Sequence, residues 1–243
     1  MSFGLSHGRD LDTRGIEVSA AELPPLPDEI VLDPRAGFRD PRALFAHPDR
    51  PLELEIGSGK GTFLARSSPR RPDVNFLGVE WAGEFFAYAA DRLRRAGATN
   101  VRMLKADAVE FLKWRVPDGV LHVIHLYFSD PWPKRKHHKN RVIQDEFLAH
   151  AWRTLVPGGE LRLVTDHDEY WSWMEAHFER WTSPVRTRNV PDRIPVPAFE
   201  RRAFIPPEGV GEDELVGTNF ERKYRDEGRS FRAIVLRRPA APA

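Results

Sequence analysis

The feature that most restricts the fold of this 243-residue chain is a series of short apolar segments, each closing on an acid and separated by stretches of helical periodicity. Leu52-Glu53-Leu54-Glu55-Ile56 alternates and stops at a glycine cluster, the pattern of a strand entering a turn. Further strands are predicted over 75–80, 101–105, 120–128, 160–165 and 231–236, with helices over 61–67, 81–95, 143–155 and 170–181. Gly97 is placed to close the second of these helices in a left-handed conformation. The run 120–128 is almost wholly apolar, as a central parallel strand buried on both faces should be. Strands alternating with helices imply an α/β fold, with a mostly parallel central sheet flanked by helices and right-handed crossovers. Ligands of such sheets sit at the carboxyl ends of the strands. Glu55, Glu80, Asp107, Asp130 and Asp166 stand there, one acid for each of five strands.

Residues 1–50 read differently. Pro24, Pro25, Pro27, Pro34, Pro41 and Pro48 make them an irregular, proline-rich extension, with the sheet domain spanning 51–243. Short helical pieces are expected around 41–46, and the first twenty or so residues are expected to be mobile. The chain has no cysteine, which excludes disulfides and Cys-ligated metal sites. It shows neither a signal-peptide core nor an apolar run of the roughly 18 residues a membrane span needs, so a cytoplasmic protein is expected. Net charge is only +1, but Lys134-Arg135-Lys136-His137-His138-Lys139-Asn140-Arg141 contains no acid. A local basic run on a near-neutral chain predicts one anionic docking surface.

The loop Gly57-Ser58-Gly59-Lys60-Gly61 follows the first strand. A phosphate-binding P-loop needs Ser or Thr after its Lys and a glycine five positions before the second glycine. Gly61 and Leu54 stand there instead, and that alternative fails. A dinucleotide loop would place its third glycine where Thr62 stands, which leaves NAD or FAD as a second choice. A tight turn with no ligand is the plainest alternative. Glu80 lies 23 positions beyond Gly57, near the spacing of an acid that holds ribose hydroxyls. The G-x-G-x-G spacing behind Glu55 resembles the first motif of Rossmann-like S-adenosylmethionine methyltransferases. Acids around the loop suit a ligand carrying an ammonium and a sulfonium and would repel a pyrophosphate.

The fourth strand ends in Phe128-Ser129-Asp130-Pro131-Trp132-Pro133-Lys134, where two prolines stop the strand and hold Asp130 at its tip. FSDPWPK and the basic run, with LEIGSGKG, LVTD and the late TNFE, resemble the bacterial tRNA (guanine-N7)-methyltransferases from about Leu52 to the C-terminus. The resemblance implies a class I, Rossmann-like methyltransferase fold and methyl transfer from S-adenosylmethionine to N7 of a guanosine in the tRNA variable loop. It implies cofactor binding by Glu55, Gly57, Gly59, Glu80, Asp107 and Asp130, with Asp107 meeting the adenine amino group and Asp130 also catalytic. Lys134, Asp166, Thr218, Asn219, Phe220 and Glu221 would bind substrate. Lys136, His137, His138, Lys139, Asn140 and Arg141 would bind RNA.

Each position has a plainer role. Asp130 could be a helix cap or a turn acid, Asp166 a helix cap, and Phe220 a packing residue, which is the expectation for it, while Glu221 could accept from base amino hydrogens. The basic run could be a solvated loop. No metal is expected at Asp166-His167-Asp168, since adjacent turn residues rarely converge on one ion. No obligate protein partner is evident, and a monomer or homodimer is expected. A nicotinamide oxidoreductase and a non-catalytic RNA-binding protein are the competing functions. Guanine N7 carries a lone pair and no proton, so transfer needs alignment and charge stabilisation rather than a base.

Overall fold

The computed structural model describes residues 5, 8, 10–208 and 210–240. Seven strands form one sheet in the order β3-β2-β1-β4-β5-β7-β6. They are β1 (Leu52–Ile56), β2 (Asn75–Val79), β3 (Val101–Leu104), β4 (Leu121–Tyr127), β5 (Leu155–Thr165), β6 (Glu200–Arg202) and β7 (Arg232–Arg237). The first five are mutually parallel, and β7 runs antiparallel between β5 and β6. Chain order runs outward from β1 through β2 to β3 and then returns to β4 on the other side of β1. That reversal opens a crevice at the carboxyl ends of β1 and β4.

The helices cover the sheet for reasons visible in their spacing. α2 (Gly83–Arg95) buries Phe86, Ala89, Ala90 and Leu93, one face of a helix, and Gly97 follows with φ of 69°. α5 (Asp168–Thr182) buries Tyr170, Met174, Phe178 and Trp181. α1 (Thr62–Ser67) and α4 (Asp145–Thr154) are shorter. α3 (Ala108–Trp114), α6 (Asn219–Asp226) and β6 were not expected from the sequence. β5 begins at Leu155 rather than 160, with Gly158 at φ of 83° inside it.

The alternation in β1 does not mark an exposed face, because all five of its residues are buried. Glu55 instead belongs to a row of polar residues running across neighbouring strands. Register sets Glu55 between Gly78 and His125, and His125 beside Arg162. Phe63 of α1 covers this row, its ring 4.6 Å from His125 and 5.3 Å from Tyr127.

The N-terminal extension contains three-residue-per-turn helices at Asp28–Val31, Pro34–Gly37 and Pro41–Leu44. Its start departs from the expectation of a mobile segment. Val18 N donates to Met103 O and Met103 N to Ile16 O, both at 2.8 Å, and Ile16 and Val18 are buried. Two apolar residues in extended chain satisfy the free edge of β3. The same expectation for residues 1–4, 6, 7 and 9 lies outside the described residues. Among the described residues no helix is long and apolar enough to cross a membrane.

Candidate active site

Beyond β1 the chain turns through Gly57, Gly59 and Gly61, with φ of 72°, 53° and 64°, values that side chains with a Cβ rarely adopt. Gly59 N donates to Glu80 Oε2 at 2.8 Å and Ala82 N to Glu80 Oε1 at 2.9 Å. Glu80 thereby ties the glycine loop to the turn after β2, and each of its oxygens keeps a second lone pair. Glu55 is buried, and its Oε2 has no hydrogen-bond partner among the described residues. Burial pushes its carboxyl up to about 8, opposed by a hydrogen bond from Ser58 and aided by the charge of Glu80. Glu55, Gly57, Ser58, Phe63, Tyr127 and Phe220 belong to the wall of a cavity of about 850 Å³. A buried carboxyl without a partner on such a wall fits a cationic ligand.

α6 stands over the loop. An added Cβ on Gly59 would lie 3.5 Å from the Phe220 ring. Thr218 Oγ1 caps α6 by accepting from Glu221 N at 3.1 Å. Glu221 is fully buried, and its carboxylate accepts from the amides of Leu215, Val216 and Gly217 at 2.5, 2.8 and 2.7 Å. It also pairs with Arg225 at 2.8 Å. Glu221 therefore builds the turn rather than waiting for a base. Phe220 also differs from expectation: it is 40% exposed and lines the cavity with Thr218 and Asn219, instead of packing in the core.

The turn after β4 is strained and clamped. Phe128 and Trp132 both have positive φ, 55° and 44°, a costly state for bulky residues that a surrounding structure must impose. Arg141 supplies the restraint. Its Nε donates to Pro131 O at 2.8 Å, its Nη2 approaches Trp132 O at 3.5 Å, and both its terminal nitrogens engage Glu169 at the start of α5. The guanidinium also lies over Tyr170 at 5.2 Å and Trp173 at 5.0 Å. Arg141, expected on the RNA surface, is 1% exposed and holds the turn instead. Arginine suits such a site because its planar fork serves several acceptors at once. Sequence alone does not point to Glu169, since an acid in a helix's first turn already has a reason to be there.

Asp130 is exposed and enters no ion pair among the described residues. Lys134, Lys136, Lys139 and Asn140 are exposed, whereas His137 and His138 are half-buried, their rings against Trp132 and Trp173. Asp166 Oδ2 accepts from Arg229 Nη1 at 2.6 Å, and it is His167, not Asp166, that caps α5. Asp107 Oδ1 caps α3 by accepting from Val109 N at 2.8 Å and Glu110 N at 3.1 Å. Ile56, Val79, Leu104 and Leu126 are in register, so the residues that follow share one edge of the sheet. They do not share one cavity: Asp107 and the 72% exposed Trp81 line a second one of about 580 Å³, together with Val18, Leu23 and Leu26 of the extension.

Comparison with known proteins adds to this geometry. A family model described as "Putative methyltransferase" matches residues 49–203. The chain is 38% identical to a tRNA (guanine-N(7)-)-methyltransferase of Geobacillus kaustophilus, over 60% of this chain and 67% of that one. It is 31% identical to a protein of the same name from Rhodopirellula baltica, over 88% of this chain and 84% of that one. Among solved structures it is similar to the 16S rRNA methyltransferase KamB, with a TM-score of 0.51 and 13% identity over 90% of this chain and 95% of that one, a likeness of fold alone.

Proposed function

The chain belongs to the tRNA (guanine-N(7)-)-methyltransferase family, and from that membership we propose that it methylates N7 of a guanosine in tRNA, in the variable loop. S-adenosylmethionine, when bound, supplies a methyl group on a positively charged sulfur, activated for direct attack. The residues at the first cavity fit that donor. The observation that carries the donor assignment is Glu55, a buried carboxyl on the cavity wall with one oxygen unpaired. It would accept from the donor's ammonium, while the backbone of Gly57 lies open to close approach. Glu80, on the turn beside that cavity, has lone pairs left for ribose hydroxyls, and Asp107, on the wall of the second cavity, has its Oδ2 left for the amino group of an adenine reaching along the sheet edge.

Asp130 would orient the guanine through its amide and amino hydrogens and favour the positive charge that the purine gains. It abstracts no proton, since N7 has none. The strained turn holds this carboxylate at the tip of β4. Lys134, Lys136 and Lys139 follow on the same turn, where they would neutralise tRNA phosphates without reading sequence. Thr218, Asn219 and Phe220 would border the base.

Incubating the purified protein with bulk tRNA and methyl-labelled S-adenosylmethionine tests this directly. Nucleoside analysis is expected to yield 7-methylguanosine, mapped to the variable loop by cleavage at the modified base. Label in another nucleoside, or none, would remove the assignment.

A further inference from the structure

Beneath the donor cavity runs a chain of buried polar side chains that the proposed reaction does not use. Glu53 and His125 are 5% and 2% exposed. His125 Nε2 lies 2.8 Å from Glu53 Oε2, and its Nδ1 lies 2.6 Å from the Tyr127 hydroxyl. Arg71 binds the same oxygen of Glu53. Tyr127 belongs to the cavity wall, its ring edge-on to Phe63 at 5.3 Å and to Phe204 at 6.2 Å.

Chemistry fixes the direction of each bond. His125 and Arg71 hold Glu53 below the usual carboxylate range in spite of its burial, so it is an anion that can only accept. Burial lowers the His125 pKa and keeps the ring neutral, with one proton to give. That proton must sit on Nε2, facing Glu53. Nδ1 is then an acceptor, and the Tyr127 hydroxyl donates to it. A buried chain satisfied at every link specifies one arrangement of its members, whereas a broken one costs more than apolar packing would.

We infer that Glu53, His125 and Tyr127 form a positioning relay that fixes the tyrosine ring in the cavity wall and so sets the affinity for the methyl donor. The inference rests on the assignment of that cavity to S-adenosylmethionine. None of the three transfers a proton in the reaction; Glu53 and His125 act only through the placement of Tyr127.

Tyr127→Phe removes the hydroxyl alone, Glu53→Leu removes the far acceptor, and Glu53→Gln keeps an acceptor for Nε2–H. Tyr127→Phe and Glu53→Leu are expected to weaken S-adenosylhomocysteine binding about five- to tenfold by calorimetry, the worth of roughly one hydrogen bond. The KM for S-adenosylmethionine should rise in step while the KM for tRNA stays put, and Glu53→Gln should behave as the unaltered protein. Nitrogen-15 NMR at neutral pH should find His125 in the Nε2–H form, and that form should be lost in Glu53→Leu. Should Glu53→Leu not fold, Tyr127→Phe and the NMR of the unaltered protein decide alone. Unchanged binding by Tyr127→Phe, or a proton on Nδ1, overturns the relay and leaves the donor site standing. Failure of the unaltered protein to bind S-adenosylhomocysteine overturns the donor site and the relay with it.

Discussion

A carboxyl that is buried, unpartnered and on a cavity wall responds to positive charge before anything else, and Glu55 is such a group. With its pKa pushed up to about 8, it is largely protonated at neutral pH in the ligand-free protein. An ammonium beside it favours the anion, so donor binding near pH 7 should release a proton. Affinity should climb from pH 6 to about 8 and then level off. Calorimetry in buffers of different ionisation heat measures the released proton directly. In Glu55→Gln both the proton release and the climb should vanish, with weaker binding throughout. Stability runs the opposite way with pH. The folded value lies above the ordinary 4.5, so the folded protein holds the extra proton, and Glu55's contribution is lost as pH rises through about 8. Ligand-free Glu55→Gln should therefore melt higher than the unaltered protein at pH 9. Asp130 is the opposite case, exposed and unpaired. Asp130→Ala should leave stability within about 0.5 kcal/mol while methyl transfer falls at least about a hundredfold, as for other groups that stabilise developing charge. An unchanged transfer rate would take Asp130 out of the mechanism.

At the scale of elements, the turn after β4 joins two functions that the sequence runs together. Lys134, Arg135, Lys136, Lys139 and Asn140 face solvent and His137 and His138 are half-buried, yet Arg141, the last residue of the same basic run, is buried against Pro131, Trp132 and Glu169. Composition cannot separate a solvated cation from a clamped one; only the aromatic pair Tyr170 and Trp173 marks the difference, and it comes from another helix. Arg141→Ala should cost roughly 2–4 kcal/mol, because buried carbonyls of a strained turn lose their donor. Its transfer rate should drop with little change in the salt dependence of tRNA binding. Lys136→Ala and Lys139→Ala should do the reverse, leaving the melting temperature alone and each lowering the salt slope by about 0.7–0.9. Were Arg141→Ala to reproduce the lysine variants, the clamp would not be its role. β2 and β4 were legible because parallel strands buried on both faces read as nearly continuous apolar runs; β1 was found by an alternation that marks no exposed face, and the short, charged β6 was missed. α6 was not legible either, since NFERKYRD is short and offers only Phe220 and Tyr224 as large apolar side chains, and the helix depends on the Thr218 cap and on Glu221 gathering three amides.

Across the whole molecule, the proline-rich extension and the sheet are joined more closely than the change in composition at residue 50 suggests. Arg102 on β3 is the fastener. Its guanidinium donates to Leu44 O at 2.7 Å, Glu17 O at 2.9 Å and Ile16 O at 3.3 Å, and pairs with Glu22 at 2.7 Å. Prolines explain why the extension lacks regular structure, but they say nothing about where its carbonyls go. Those carbonyls go to a side chain more than fifty residues away, which no local pattern encodes. The segment so held includes Val18, Leu23 and Leu26, which line the same cavity as Asp107 and Trp81. Arg102→Ala should therefore act twice. Losing three hydrogen bonds to carbonyls and the pair with Glu22 should cost roughly 2–4 kcal/mol in all, lowering the melting temperature by about 2–4 °C for each kcal/mol. The freed segment should also loosen the wall beside Asp107, so donor affinity should fall although the substitution lies outside both cavities. Hydrogen exchange resolves the order of events: the amides of Val18 and Met103, paired across the strap and β3, should lose protection before those of β1 and β4. If the strap amides exchange no faster in Arg102→Ala, or donor affinity holds while they do, the extension is packing on the sheet and not part of its binding edge.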